Sequence, residues 1–175
     1  NDPPPGPDAY ADIVKRHVRA LDCQVIFEPG RLIVGNAGIL VGSVIYRKEM
    51  PHKTFLIADT GMNDLIRPTL YDAWHDIRAV VEPAADAEWS SCDVVGPVCE
   101  TGDFMAHDRP LPPLQRGDLF AIYSAGAYGA VQAGTYNTRP LVPEVLVNGD
   151  RFAVIRPRLE ADEILSLDRI ADWLF

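Results

Sequence analysis

Five side chains of this sequence combine a reactive or recognising group with unusual neighbours: Arg31, Arg67, Cys99, Glu100 and Tyr128. Arg31 closes the run Glu28-Pro29-Gly30-Arg31, between apolar residues 25–27 and a small, apolar stretch at 32–40. A buried strand would carry Glu28 to its carboxyl end, and Pro29-Gly30 would force a turn. The helix that follows would then offer unpaired backbone N–H groups to an anion. In α/β barrels phosphates bind at such places, but Pro-Gly also marks turns that bind nothing, and Arg31 would then merely cap one at the surface.

Arg67 and Tyr71 are four residues apart, so on a helix over 64–75 they would point the same way, as recognition groups or as a solvated face. Pro68 is best tolerated in a first helical turn, which puts Arg67 at the helix mouth. Cys99 lies where the apolar run 94–98 meets Glu100-Thr101-Gly102-Asp103; a lone cysteine there is ordinarily a small buried hydrophobe. Tyr128 is ringed by Gly126, Ala127, Gly129 and Ala130. It is either a core tyrosine in a tight turn or a ring that a flat ligand could approach closely. His75, beside Trp74 in the same predicted helix, and His107, in a polar loop, have no partner at metal-ligand spacing and are assigned no role. No metal site is expected.

The elements that must position these groups change character along the chain. Ala11, Val14, Val18 and Leu21 recur at helical spacing after Pro7, with Asp8 as the expected N-cap. Residues 25–27 are apolar throughout, as a parallel strand covered on both faces would be. Helix then strand is the closing rhythm of an α/β barrel; with the earlier strands absent, this part should expose apolar surface. After Gly38, apolar runs at 41–46, 55–58, 77–81, 92–98, 119–123, 145–147 and 152–155 alternate with Gly, Pro and Asp, which predicts a mainly β domain. Asn148-Gly149 predicts a two-residue hairpin turn with positive φ at both centres. The tail 161–175 predicts a short helix.

The bulk numbers narrow the function classes. A formal net charge of −9 argues against nucleic acid, whose phosphates need clustered cations. No run is long and apolar enough to span a bilayer and no signal peptide is recognisable, so a cytoplasmic setting follows by default. The three cysteines favour neither a disulfide framework nor a zinc knuckle. The first residue is not Met and the opening is Pro-rich loop, so a fragment beginning inside a larger protein is expected.

Taken in order, Glu28 to Arg31, the stretch from Gly61 to Tyr71, Gly96 to Asp103 and Asp118 to Gly129 resemble the diaminopimelate decarboxylase family, and the likeness extends to Val154-Ile155-Arg156-Pro157-Arg158. It implies a C-terminal β-barrel or β-sandwich domain of the alanine racemase type at 39–175. Residues 1–38 would be the last helix and strand of a TIM barrel that binds pyridoxal 5'-phosphate. The resemblance further implies that Glu28, Pro29, Gly30 and Arg31 hold the cofactor phosphate, that Arg31, Arg67, Tyr71 and Glu100 contact substrate, and that Tyr128 meets both cofactor and substrate. It assigns Cys99 the return of a proton to the α carbon after CO2 leaves; a thiol with pKa of roughly 8.5 is a feasible acid. Cys99 and Glu100 would serve a second subunit, which implies a homodimer with shared active sites. Thr101 departs from the pattern, where serine is more frequent.

Charge selects among substrates. A diamino diacid presents a distal carboxylate and a distal ammonium, which Arg31, Arg67 and Glu100 would match; simple diamine precursors would not need the arginines. Lys15, Lys48 and Lys53 lack the context of a cofactor-binding lysine, which is expected upstream, so the fragment alone should be inactive. The rival readings are a decarboxylase for ornithine, arginine or carboxynorspermidine, and a non-catalytic regulator that kept the dimer surface.

Overall fold

The computed structural model of the chain describes residues 5–174. Residues 1–4 of the predicted Pro-rich opening and residue 175 of the predicted tail helix lie outside the described residues. Helix α1 (Pro7–Val18) starts two residues earlier than its sequence signal. Pro7 takes the first turn, where its missing N–H costs nothing, so Gly6 is the N-cap and Asp8 sits inside the first turn, still favourably placed near the positive end. The helix ends before Leu21, which was expected on its apolar face.

Residues 25–27 do not form the predicted strand. They are exposed, Ile26 at 79%, and no strand among the described residues pairs with them. A parallel strand exists through the hydrogen bonds of its neighbours, so without them an apolar run is only extended chain. The expected exposed apolar surface is present, with Phe27 meeting Tyr10 edge-on at 6.3 Å. The chain then turns at Pro29-Gly30 into the single-turn helix α2 (Arg31–Val34) and a 3₁₀ turn at Gly35–Ala37.

The strands that follow form one six-stranded sheet: β1 (Leu40–Met50), β2 (Lys53–Ala58), β3 (Ile77–Ala79), β4 (Ser90–Val95), β5 (Phe104–Leu111) and β6 (Leu119–Ile122). Their order is β3-β6-β1-β2-β4-β5, with β2 and β4 parallel and every other pair antiparallel. The edge strands β3 and β5 also meet, so the sheet is nearly closed into a barrel. Val44, Leu56, Val94, Met105, Phe120 and Ile122 fill its interior, each almost fully buried. Burying a side chain of this kind contributes about 1.5–3 kcal/mol.

No apolar run announces strand β5, and the polar residues around His107 predict a loop there. His107, Asp108, Arg109 and Pro110 break the apolar alternation, yet the strand tolerates all four. Asp108 has φ 47° and lies in a bulge where two residues of β5 stand opposite Asp93. Pro110 is acceptable because β5 is an edge strand.

The predicted hairpin is present as β7 (Glu144–Asn148) and β8 (Arg151–Arg156), but its turn is one residue later. Asn148 pairs with Arg151, so Gly149 and Asp150 are the central residues, and of these Gly149 has positive φ. That is the requirement of a turn with glycine at its first centre. Within the tail the helix α4 (Ala161–Leu165) starts at a reciprocal Glu160–Glu163 capping box, and a 3₁₀ turn follows at Asp172–Leu174.

Candidate active site

Helix α2, the short helix α3 (Arg67–Tyr71) with the segment after it, and the turn after β6 enclose a cleft of about 1160 Å³. Arg31, Arg67, Tyr71 and Tyr128 all line it. Four positions from three separate stretches thus meet in one place. Pro68 lies in the first turn of α3, with Arg67 at its start, as the sequence signal implies, and Asp72, with φ 52°, ends it; the predicted helix over 64–75 is therefore much shorter, and His75 lies beyond it. The loss of length follows from Asp72, a residue type that tolerates the left-handed conformation that stops a helix.

Close backbone approach fixes the distance across the cleft. A Cβ on Gly126 would collide with the carbonyl oxygen of Val34, and one on Gly38 would lie 2.6 Å from Gly126 Cα. Only glycine lets the two segments run this close. Gly126 N–H donates to Gly35 at 3.1 Å and Ala125 N–H to Gly38 at 2.9 Å, so the segment carrying Arg31 is tied to the one carrying Tyr128. Tyr128 has φ 58°, a conformation that costs a bulky residue on the order of 1–3 kcal/mol. It is exposed on the cleft, which excludes the core-tyrosine alternative. A Cβ on Gly30 would lie 3.9 Å from the Tyr128 hydroxyl, so the Pro29-Gly30 turn and this ring are neighbours. Glu28 is exposed at the start of the turn and does not line the cleft.

Cys99 and Glu100 stand elsewhere. Both are exposed, on the loop between β4 and β5, and neither lines the cleft. Glu100 Oε1 accepts from Gly102 N–H at 3.2 Å and its Oε2 from the Tyr136 hydroxyl at 3.4 Å. The loop is anchored by buried Asp103, whose two oxygens accept separately from Met62 N–H at 2.7 Å and Val98 N–H at 2.6 Å. Thr69 Oγ1 on α3 also donates to the Gly102 carbonyl. One helix therefore carries Arg67 and Tyr71 on the cleft and Thr69 on the Cys99 loop.

His75 is a cleft residue that the sequence reading set aside. It is 2% exposed, its Nδ1 is 2.9 Å from the Tyr123 carbonyl oxygen, and its Nε2 is 3.5 Å from Arg67 Nη1. Burial lowers its pKa; the Tyr123 carbonyl opposes this, and the charges of Arg67 and Arg109 add to the lowering. Nothing in residue spacing signals this position, because the contacts come from β5, α3 and the residue just after β6. His107 is exposed and bonded to Asp93 at 2.8 Å, away from the cleft.

A nearly closed antiparallel-rich sheet, with a cleft built where a Pro-Gly turn meets its rim, defines the class as a β-domain that carries a cleft at its edge. The family profile described as pyridoxal-dependent decarboxylase, C-terminal sheet domain, matches residues 10–126. The chain belongs to that family. It is 47% identical over 171 residues to a diaminopimelate decarboxylase of Zymomonas mobilis, covering 98% of this chain and 40% of the relative. A crystal structure from Aquifex aeolicus superposes with TM-score 0.89 at 44% identity, over 95% of this chain and 41% of that one. Diaminopimelate decarboxylase from Helicobacter pylori, complexed with L-lysine, superposes with TM-score 0.81 at 43% identity, over 90% of this chain and 38% of that one. The chain thus spans about 40% of the length of the relatives it matches.

The residues present suit one side of a pyridoxal phosphate site. The turn into α2 presents backbone N–H groups, and the Tyr128 ring next to Gly30 offers a flat face. No lysine lines the cleft: Lys15 is 3.8 Å from Asp12, Lys53 is 2.8 Å from Asp93, and Lys48 is exposed on β1. Among the described residues no helix is long and apolar enough to cross a membrane.

Proposed function

We propose that this chain is the C-terminal part of a diaminopimelate decarboxylase, which converts meso-diaminopimelate to L-lysine and CO2 with pyridoxal 5'-phosphate. The supporting observation is the meeting of Arg31 and Arg67 with Tyr71 and Tyr128 in one cleft. Two guanidiniums there suit a substrate that carries a second carboxylate far from the reacting centre. The division at 38/39 belongs to the same reading, supported by the first strand of the sheet at Leu40. A cytoplasmic place in lysine biosynthesis goes with it.

When bound, pyridoxal phosphate supplies an electron sink for the charge left on the α carbon as CO2 departs. Glu28, Pro29, Gly30 and Arg31 would form the turn that holds its phosphate, and Tyr128 would lie against the cofactor and meet the substrate. Arg31, Arg67 and Tyr71 orient the substrate by its distal carboxylate, which brings the α carbon into register. Glu100 pairs with the distal ammonium. The Cys99 thiol returns a proton to the α carbon. Cys99 and Glu100 lie outside the cleft that holds Arg67, which supports a homodimer in which they complete the other subunit's site.

The test is CO2 release by the full-length enzyme with pyridoxal phosphate and meso-diaminopimelate, ornithine, arginine and carboxynorspermidine offered in parallel. Release from diaminopimelate alone is expected. Release from another substrate instead would keep the family but overturn the assignment of the arginines, and no release from any would favour a regulator.

A further inference from the structure

We propose that His75 is a positioning residue for the substrate carboxylate: its neutral ring accepts a hydrogen bond at Nε2 from Arg67 and fixes where that guanidinium points. Three sides of His75 are already committed. Its Nδ1 faces the Tyr123 carbonyl oxygen at 2.9 Å, and since a carbonyl can only accept, the ring proton is on Nδ1. Its own carbonyl oxygen accepts from Arg109 Nη1 at 2.5 Å, and Arg109 is in turn held over the Trp74 ring at 4.6 Å. Its backbone runs directly into β3, which begins at Ile77. What remains is Nε2, with a bare lone pair, at the cleft wall 3.5 Å from Arg67 Nη1.

The neighbouring charges enforce this role. A second proton on the ring would place a buried cation against two guanidiniums, Arg67 and Arg109, and would remove the lone pair that Arg67 needs. Among the charged groups around the ring, Asp76 lies next in sequence, but its carboxylate is bonded to Arg78 Nε at 2.6 Å. Arg67 itself is in no ion pair among the described residues, so His75 Nε2 is its one side-chain partner there. A long, flexible arginine without such a partner would lose more rotamer freedom on gripping a carboxylate. The imidazole is uncharged, so it orients the guanidinium without competing for its charge.

This inference rests on the reading of Arg67 as a carboxylate-binding residue. Its test is steady-state kinetics of the full-length holoenzyme on meso-diaminopimelate, comparing wild type with His75→Gln and His75→Asn. Glutamine places an acceptor where Nε2 stands. Asparagine reaches only the Tyr123 carbonyl and leaves Arg67 without its partner. His75→Asn should raise KM on the order of tenfold with kcat within about twofold, the pattern of lost uniform binding, while His75→Gln should restore KM to within about threefold. Equal behaviour of the two variants, or an unchanged KM in His75→Asn, overturns the inference alone. Where His75→Asn yields no folded holoenzyme, His75→Gln decides by itself: a KM near wild type sustains the inference and a raised one overturns it. A wild-type enzyme that releases CO2 only from substrates without a distal carboxylate overturns the functional reading and this inference together.

Discussion

Replacing Asp103 should destabilise the domain and disable the Cys99 loop in one step, by an amount that can be worked from its contacts. Its carboxylate is 4% exposed, and its two oxygens accept from different backbone amides, Met62 N–H at 2.7 Å and Val98 N–H at 2.6 Å. The first amide belongs to the turn that leads into α3, the second to the β4–β5 loop just before Cys99. Hydrogen bonds to a charged acceptor contribute about 1.5–3 kcal/mol each. Asp103→Asn keeps one oxygen and turns an NH2 group toward the other amide, so it should cost about 1.5–3 kcal/mol; Asp103→Ala strands both amides and should cost roughly twice that. Gly61 and Gly96 sit against the same carboxylate, so no neighbouring side chain is placed to replace it. The assay is urea denaturation of the full-length enzyme, with CO2 release measured on the same preparations. A smaller effect of Ala than of Asn, or an Asn variant within about 0.5 kcal/mol of wild type, would refute the assignment of Asp103 as the anchor of both segments.

If each site combines Arg67 of one subunit with Cys99 of the other, refolding an equal mixture of inactive Cys99→Ala and Arg67→Ala enzymes should recover about one quarter of wild-type activity, since half the dimers are mixed and each has one intact site; no recovery would place both residues in one subunit's site. Gly126→Ala should lower stability by about 1–3 kcal/mol, because the added methyl meets the Val34 carbonyl rather than a side chain that could move, and a wild-type melting temperature would contradict that packing. Burial pushes the Asp93 pKa up, but Lys53 at 2.8 Å, the Asp108 N–H at 2.9 Å and His107 at 2.8 Å outweigh it and hold the carboxyl below its usual value. With the folded pKa depressed, this stabilisation is fully present above roughly pH 4 and is lost as pH falls through the lower folded value. Melting temperature followed from pH 6 downward should therefore decline less steeply below pH 4 in Asp93→Asn, and an identical acid limb in both proteins would count against the cluster.

Local chemistry alone determined much of the framework. The apolar runs that became β1, β2, β3, β4, β6, β7 and β8 are legible because hydrophobic spacing and Gly, Pro and Asp punctuation act within a few residues. Pro68 announced α3, and the order of motifs carried the family. The tertiary structure decided the rest, where the cause lies in partners remote in sequence. Residues 25–27 have strand character but no ladder to join, and β5 is a strand despite its charges because β4 pairs with it. Tyr128 could have been core or cleft; the backbone contact of Gly126 with Val34 put it in the cleft. His75 was unremarkable in sequence because its importance lies in Tyr123, Arg109 and Arg67, which reach it from three other stretches of chain. Spacing reveals which side chains share an element, while a site assembled between elements exists only once packing has brought their backbones together.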